Sequence, residues 1–226
     1  MTMRVLVIGG TGVLGRPAVR RLLAAGHDVT GLARNDERAA VVAAQGVTPV
    51  VADLFDPGSL AKAMAGHEAV LNLANRIPPL SKVVFGGGWA ENDRVRTEGS
   101  AAVVAAALAG DDVRIVVQEG ISFSYADGGD TELTEESPLD APRALRSSIA
   151  AHENVARFAE SSGRTGVRLR IGMLFGDDPL TRSLLRAARF GMPLVFGDPS
   201  DWTMAVHPSD AAAGAVAALS TPSGVY

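Results

Sequence analysis

Short apolar runs rich in β-branched residues alternate with amphipathic segments along the whole chain. Continuous apolar runs of this length are typical of parallel strands that crossover helices bury on both faces. The pattern therefore predicts an α/β fold with a doubly wound parallel sheet. The predicted strands are residues 5–8, 29–32, 47–51, 69–73, 113–117 and 167–171.

Apolar positions at helical spacing predict the segments between these strands. Leu14, Ala18 and Leu22 share one face of a helix that ends at Gly26, a residue suited to the left-handed position after a helix. Longer helices are predicted at about residues 89–108 and 143–161. With 226 residues and 47% hydrophobic content, one domain over residues 1–226 is expected.

Charge and composition exclude several classes of partner. The net charge is -4 and the cationic residues form no tail or stripe, so neither nucleic acid nor a membrane surface is expected as a partner. The absence of cysteine excludes disulfides, thiolate catalysis and cysteine-ligated zinc. No apolar stretch reaches the length of a membrane span and the N-terminus lacks signal-peptide character, so we expect a soluble, cytoplasmic protein.

The first predicted strand leads into a glycine-rich turn that precedes the first helix. Glycine adopts positive φ and has no Cβ, so backbone amides in such a turn approach a pyrophosphate closely at the positive end of the helix dipole. Because the turn begins a βαβ unit, it predicts a dinucleotide site; a purely structural strand-to-helix turn is the alternative. The predicted cofactor-binding residues in the turn are Gly9, Thr11, Gly12, Val13, Leu14 and Gly15.

The end of the second strand bears on which dinucleotide binds. An acidic residue there would accept hydrogen bonds from the adenosine ribose and favour NAD, but this chain has Ala33 followed by Arg34. A guanidinium pairs with a 2′-phosphate, so the predicted cofactor is NADP, with NAD as the alternative. The competing interpretation makes Arg34 a solvated loop cation.

Two further segments follow predicted strands on the same edge of the sheet. After the third strand come Asp53 and Leu54, where the Asp53 carboxylate would either accept from adenine or cap the next helix. After the fourth strand come Leu73, Ala74 and Asn75, where small residues permit close contact with the nicotinamide half of the cofactor. Both segments are predicted to contact the cofactor.

Five motifs appear in order along the chain: Gly9-x-x-Gly12-x-x-Gly15, Asp53-Leu54, Asn72-Leu73-Ala74, residues 169–176 and residues 206–212. Together they resemble the extended short-chain dehydrogenase/reductase superfamily, in its NAD-dependent epimerase/dehydratase branch. The resemblance covers essentially the whole chain and implies a Rossmann fold and an NAD(P) cofactor. It also implies a homodimer paired through the long helices. Residues from about 177 to 226 are expected to form a substrate-side region that is small or truncated, because residues 223–226 resemble the start of a strand that relatives continue.

The catalytic residues of this superfamily are missing. The resemblance implies a Tyr-x-x-x-Lys pair, in which the ammonium lies beside the phenol and lowers its pKa. Leu145 and Ile149 occupy those places, and Ile121 occupies the place of the catalytic serine or threonine. Because apolar side chains cannot transfer a proton, the chain resembles the atypical members, in which the proton donor is replaced or lost.

Substitutes for the missing groups are expected after the fifth strand, at the edge where ligands bind. Tyr125 and Ser122 are the predicted catalytic residues there; the alternative for Tyr125 is a packed ring with a satisfied hydroxyl. Glu119 is either a base or only the end of the strand. No metal ligand set is predicted, because His152-Glu153 lacks the second histidine of a HExxH zinc motif and the acidic loop at 127–136 lacks a calcium-binding spacing.

These predictions favour an atypical oxidoreductase or epimerase-like protein that transfers hydride between NADP and a carbonyl or alcohol of a small metabolite. The rival hypothesis is a non-catalytic sensor that binds NADP(H) and passes its state to a partner. Loss of the catalytic residues favours the sensor.

Overall fold

A computed structural model describes residues 2–79, 82, 88–142, 145–191 and 202–226. A seven-stranded sheet lies at its centre, and every neighbouring pair of strands is parallel. From edge to edge the strands are Thr48–Val51, Asp28–Ala33, Arg4–Ile8, Ala69–Asn72, Ile115–Ile121, Thr165–Ile171 and Gly224–Val225. The strand order reverses between Arg4–Ile8 and Ala69–Asn72, which is the point where open α/β sheets bind ligands. The predicted doubly wound α/β sheet is therefore confirmed.

The strands are β1 Arg4–Ile8, β2 Asp28–Ala33, β3 Thr48–Val51, β4 Ala69–Asn72, β5 Ile115–Ile121, β6 Thr165–Ile171 and β9 Gly224–Val225, with β7 Met173–Leu174 and β8 Ala205–Val206 paired separately. The helices are α1 Gly15–Ala24, α2 Asp36–Ala43, α3 Pro57–Met64, α5 Arg146–Ala159, α6 Pro179–Ala188 and α7 Pro208–Ala217. Helix α4 joins Ala90–Arg94, the π-helical Val95–Gly99 and Ser100–Ala109.

Alternate residues of β1 belong to the two core layers. Val5 and Val7 pack with α1 and α7 on one face of the sheet, and Leu6 and Ile8 pack with α3, α4 and α5 on the other. All four side chains are essentially fully buried. Burial on both faces explains why β1 is continuously apolar in sequence.

Helix α1 ends as its sequence predicts. Gly26 has a φ of +80°, its N–H donates to the Leu23 carbonyl at 3.0 Å, and the His27 N–H donates to the Leu22 carbonyl at 3.0 Å. These two bonds form a Schellman motif, which satisfies carbonyls at the helix C-terminus.

Strand β5 is longer than its apolar pattern predicted. The sequence run ends at Val117, but the strand continues through Gln118 and Glu119 to Ile121, paired with β6 along its whole length. The prediction of its end was wrong, because two consecutive polar residues resemble the start of a loop. Both side chains are in fact buried by tertiary contacts.

The helix predicted at residues 89–108 is present as α4, with a π-helical segment that its sequence does not reveal. The wider spacing frees main-chain carbonyls, which side chains then satisfy. The Ser100 hydroxyl donates to the Arg96 and Thr97 carbonyls, and the Asn154 amide donates to the Thr97 carbonyl at 3.2 Å. Helix α5, from which Asn154 projects, covers most of the predicted 143–161 segment; residues 143 and 144 lie outside the described residues.

Candidate cofactor and active site

The glycine-rich turn brings three backbone segments into direct contact. Gly9 has a φ of +82°, and a Cβ there would lie 2.8 Å from main-chain atoms of Leu73 and Ala74. A Cβ on Gly15 would overlap the Gly9 carbonyl oxygen, to which the Gly12 N–H donates at 2.9 Å. The fold itself therefore requires glycine at Gly9 and Gly15.

Helix α1 starts without a side-chain cap. Leu14 is its N-cap residue, and the side chain of Leu14 is buried in the core. The helical hydrogen bonds begin where the Arg16 N–H donates to the Gly12 carbonyl at 3.1 Å, so the Val13 and Leu14 amides before it remain for an external acceptor. Thr11 is half-buried and Val13 is exposed. A cradle of amides with no Cβ in the way fits the pyrophosphate of a dinucleotide.

Arg34, the residue that the sequence predicts to contact a 2′-phosphate, lies at the carboxyl end of β2. It follows β2 directly and its side chain is exposed. Asn35 then begins α2 by accepting a hydrogen bond from the Arg38 N–H at 3.0 Å, so Arg34 belongs to the short connection and not to the helix. Within the part of the chain that the structure describes, no carboxylate lies within salt-bridge distance of Arg34.

The segment after β3 differs in one respect from the sequence interpretation. The exposed Asp53 accepts a hydrogen bond from the Phe55 N–H at 2.9 Å, in a turn of its own. Asp56 is the N-cap of α3, so the alternative that Asp53 caps this helix is wrong. Leu54 is half-buried and packs closely against Gly99 of the π-helical segment. Asp53 therefore remains available to a ligand, while the Leu54 side chain supports the fold.

The segment after β4 lies against the glycine turn. The Leu73 N–H donates to the Ile8 carbonyl at 2.9 Å, and the Leu73 side chain is buried. Ala74 is half-buried and Asn75 is exposed. The structure thus brings this predicted cofactor segment and the turn together at the carboxyl edge of β1 and β4.

Sequence reasoning missed a cluster of buried polar side chains beside this segment. The Asn72 amide donates to the Gln118 side-chain oxygen at 2.8 Å, and the Gln118 amide donates to the Glu119 carbonyl at 2.8 Å. Arg96, from the π-helical segment, donates to Glu119 Oε2 at 3.0 Å, and both of these charged side chains are buried. The only signal in the sequence was the polar pair at the end of an apolar run.

Burial dominates the protonation of Glu119. Loss of solvent raises the pKa of its carboxyl, while the Arg96 guanidinium and the Asn75 side chain act in the opposite direction and favour the carboxylate. Arg96 is the partner that favours the charged carboxylate against this effect of burial.

His152 fills the space beside the end of β5. A Cβ on Gly120 would overlap the His152 ring and lie 2.9 Å from the Ser148 hydroxyl, which accepts from the Ile121 N–H at 3.1 Å. Burial lowers the pKa of His152 to about 3, with a further contribution from nearby arginines, chiefly Arg170. The imidazole is therefore neutral at physiological pH.

The two predicted catalytic residues have different surroundings. The half-buried Tyr125 ring lies under the Arg170 guanidinium, 4.7 Å from the ring centroid, and its backbone bridges to Leu139. The buried Ser122 hydroxyl donates to the Ile171 carbonyl at 3.3 Å. Tyr125 is thus positioned by a stacked cation, whereas the Ser122 hydroxyl already has a main-chain partner.

The two residues that the resemblance aligns with the catalytic pair lie at the start of α5. Leu145 is the N-cap residue of this helix and Ile149 is half-buried one turn later. Among the described residues there is no cluster of three or more groups able to hold a metal ion. None of the described helices is long and apolar enough to cross a membrane.

We expect Gly12→Ala to separate ligand binding from folding. A Cβ at Gly12 would lie 3.2 Å from the Gly9 oxygen, a tight contact that small shifts relieve, but it would stand where a pyrophosphate approaches. The free energy of unfolding of the variant should lie within about 1 kcal/mol of the wild-type value, but its affinity for a dinucleotide should fall at least about tenfold. Denaturant unfolding and calorimetry measure the two effects.

Two other glycines provide the comparison. Gly15→Ala should lower the free energy of unfolding by about 3 kcal/mol, because the overlap involves main-chain atoms that cannot move aside. Gly110→Ala, where a Cβ meets nothing within 4 Å, should change neither quantity. Unchanged nucleotide affinity in Gly12→Ala would contradict the assignment of the turn.

His152 should make the fold acid-sensitive. Its native pKa of about 3 lies below the unfolded value of 6.5, so the unfolded state takes up a proton first and stability falls as pH falls through this range. Between about pH 7 and about pH 5 the loss should reach about 2 kcal/mol.

His152→Gln should remove this part of the pH dependence. His207→Asn is the matched control, because His207 N-caps α7 and asparagine retains that role. Urea unfolding at several pH values measures the slopes. If the free energy of unfolding changed equally with pH in wild type and His152→Gln, His152 would not be the cause of the acid sensitivity.

Comparison with known proteins agrees with this geometry. Residues 9–222 match a family model described as NAD(P)H-binding. A 3-diazoavenalumate denitrifying reductase from a Streptomyces species is 35% identical over 96% of this chain and 72% of its own. A 2-alkyl-3-oxoalkanoate reductase from Shewanella oneidensis is 31% identical over 82% of this chain and 49% of its own.

Solved structures share the fold at lower identity. A dTDP-glucose 4,6-dehydratase from Streptomyces venezuelae, with NAD bound, superposes with a TM-score of 0.81 at 22% identity, covering 99% of this chain and 74% of that one. A UDP-N-acetylglucosamine 4-epimerase from Bacillus cereus gives 0.77 at 19% identity, covering 100% and 75%. The chain therefore belongs to the NAD(P)H-binding family whose model it matches, and it shares its fold with these dehydratases and epimerases.

Proposed function

We propose that the chain is an NADP(H)-dependent reductase that passes hydride to a small electrophilic metabolite. The observation that carries this proposal is the glycine turn, where Gly9 and Gly15 leave no room for side chains and the start of α1 is uncapped. The reductases among its relatives support the same class of reaction.

Preference for NADP rests on the short connection after β2. The buried Ala33 cannot accept hydrogen bonds from the ribose hydroxyls, and the exposed Arg34 offers a planar guanidinium at the same edge. An arginine in this place compensates the charge of a 2′-phosphate, whereas NAD offers it no such partner.

When bound, NADPH supplies hydride; what this chain adds is positioning. Leu145, Ile149 and Ile121 cannot move a proton, and the Ser122 hydroxyl is engaged with the Ile171 carbonyl. Tyr125 is then the group best placed to donate a proton or hold a carbonyl oxygen. Its ring is held by the Arg170 guanidinium.

The two kinds of reductase relative suggest different acceptors. One is named for a 3-oxo compound, and the other for a diazo compound that loses nitrogen. Reduction of a carbonyl needs both a hydride and a proton on oxygen. Net replacement of a diazonium group by hydrogen needs one hydride and releases N₂, so it requires no proton donor. A chain without the tyrosine–lysine pair is suited to replacing a diazonium group by hydrogen. Reduction of a carbonyl is the reaction that the sequence predicts.

Arg34→Ala should reduce the affinity for NADPH by about 10- to 100-fold, because a charge-assisted hydrogen bond to the 2′-phosphate is lost. Affinity for NADH should stay the same, since NADH has no phosphate at that position. Calorimetric titration of both nucleotides makes the measurement. Arg20→Ala, which removes an exposed arginine of α1, is the control. If Arg34→Ala bound NADPH as tightly as wild type does, the proposal that Arg34 selects NADP would be refuted.

Steady-state oxidation of NADPH over a panel of small ketones, aldehydes and aryl diazonium compounds tests the reaction. With a carbonyl acceptor, Tyr125→Phe should lower kcat by about 100-fold or more while NADPH affinity is unchanged, because the phenol is the proton donor. With a diazonium acceptor the same variant should turn over like wild type. If Tyr125→Phe and wild type reduced carbonyl acceptors at equal rates, Tyr125 would not be the proton donor.

The sensor hypothesis is the second candidate. It is favoured by the three apolar side chains at the family's catalytic places. Tight NADPH binding with no turnover of any acceptor in the panel would favour the sensor over the reductase.

A further inference from the structure

The buried ion pair between Arg96 and Glu119 has bonding capacity that the described residues do not use. The pair has one hydrogen bond, from Arg96 Nη2 to Glu119 Oε2 at 3.0 Å, and each side chain is about 5% exposed. Arg96 Nε and Glu119 Oε1 are both buried without a hydrogen-bond partner among the residues that the structure describes. Buried polar atoms are usually satisfied, so a donor and an acceptor left open on one ion pair indicate an external partner.

A path of contacts joins this pair to the cofactor turn. Gly9 lies against the main chain of Leu73 and Ala74. Asn72, the residue before this segment, donates to the side chain of Gln118, the neighbour of Glu119 in β5, at 2.8 Å. In the sheet, Asn72 is the last residue of β4 and pairs with Gln118, so Glu119 lies one residue beyond the end of β4. This is the edge where the segment after β4 is expected to meet the nicotinamide half of the cofactor.

The local structure holds the pair in this place at a cost. Burying two charges is unfavourable, and apolar side chains of the same size would pack without that penalty. Arg96 reaches Glu119 from a π-helical segment, a feature that is itself frequent at functional sites. The Ser100 hydroxyl and the Asn154 amide satisfy the carbonyls that this segment frees.

We propose that the Glu119 carboxylate, held by Arg96, faces the nicotinamide ring and stabilises its oxidised, positively charged form. This inference rests on the proposed function, because it requires that the chain binds NADP(H). A carboxylate within a few ångströms favours a neighbouring positive charge, and the effect is strong where water is excluded. Tighter binding of NADP⁺ than of NADPH makes bound NADPH a stronger hydride donor. The Glu119 carboxylate therefore favours transfer of hydride from NADPH to the acceptor.

Binding measurements with three nucleotides test this directly. Dissociation constants for NADP⁺, NADPH and 2′-phospho-ADP-ribose, which lacks the nicotinamide ring, are measured by calorimetry for wild type and Glu119→Gln. The variant should bind NADP⁺ about tenfold more weakly and NADPH within about twofold of wild type, because only the oxidised ring is charged. Binding of 2′-phospho-ADP-ribose should not change.

Glu98→Gln is the matched control. Glu98 lies in the same π-helical segment, but its carboxylate is exposed and pairs with Arg94 at the surface. Neutralising it should leave all three dissociation constants unchanged, since solvent screens its charge.

A second variant guards against misfolding. Glu119→Gln leaves the Arg96 charge without its partner, whereas Arg96→Met combined with Glu119→Gln leaves no charge at either position of the pair. The double variant should show the same selective loss of NADP⁺ affinity. The wild-type protein alone supplies an independent measurement, since it should bind NADP⁺ at least as tightly as NADPH.

The outcomes separate the two proposals. If wild type binds none of the three nucleotides, the proposed function fails and this inference fails with it. If wild type binds them but binds NADPH more tightly than NADP⁺, the cofactor site stands and the role of Glu119 is refuted. The role is also refuted if the variants lose affinity for NADP⁺ and NADPH equally, or for neither.

Discussion

The contact of main chain with main chain at Gly9 is the constraint on which the rest of the structure depends. A Cβ at Gly9 would strike the segment after β4, and one at Gly15 would strike the Gly9 carbonyl. The end of β1, the start of α1 and the exit of β4 therefore meet with no side chain between them. This close approach leaves an uncapped helix N-terminus at the topological switch point, where the partial positive charge of its amides suits a pyrophosphate.

The same edge of the sheet carries an unusual amount of buried polarity. Asn72 ends β4, Gln118 and Glu119 lie beside it within β5, and Arg96 reaches them from α4, in a region where a purely structural core would be apolar. Hydrogen bonds within the cluster offset part of the desolvation, and the π-helical segment of α4 places Arg96 inside it. Stability alone does not explain such a cluster, since burying an ion pair is often no better than burying apolar side chains.

The family relationship accounts for the cofactor class of this chain, but it does not determine the chemistry of the residues at the start of α5. Family membership accounts for the turn, the sheet and the cofactor class, which follow from backbone geometry. The resemblance implies a proton-transferring pair at Leu145 and Ile149, and because both side chains are apolar, loss of the usual proton relay is part of the proposed function. A fold supports many reactions, and the reaction depends on the side chains at the edge of the sheet.

The sequence by itself determined the alternation of strands and helices, the glycine turn and the end of α1 at Gly26, because apolar periodicity and the need for positive φ are local properties. Only the tertiary structure decided that β5 runs on through Gln118 and Glu119, that Asp56 rather than Asp53 caps α3, and that His152 fills the space beside Gly120. Arg96 and Glu119 are 23 residues apart in the chain, and no local pattern pairs them. Whether a polar side chain is solvated or buried with a partner depends on what packs over it, and that is settled by contacts between segments that are distant in sequence.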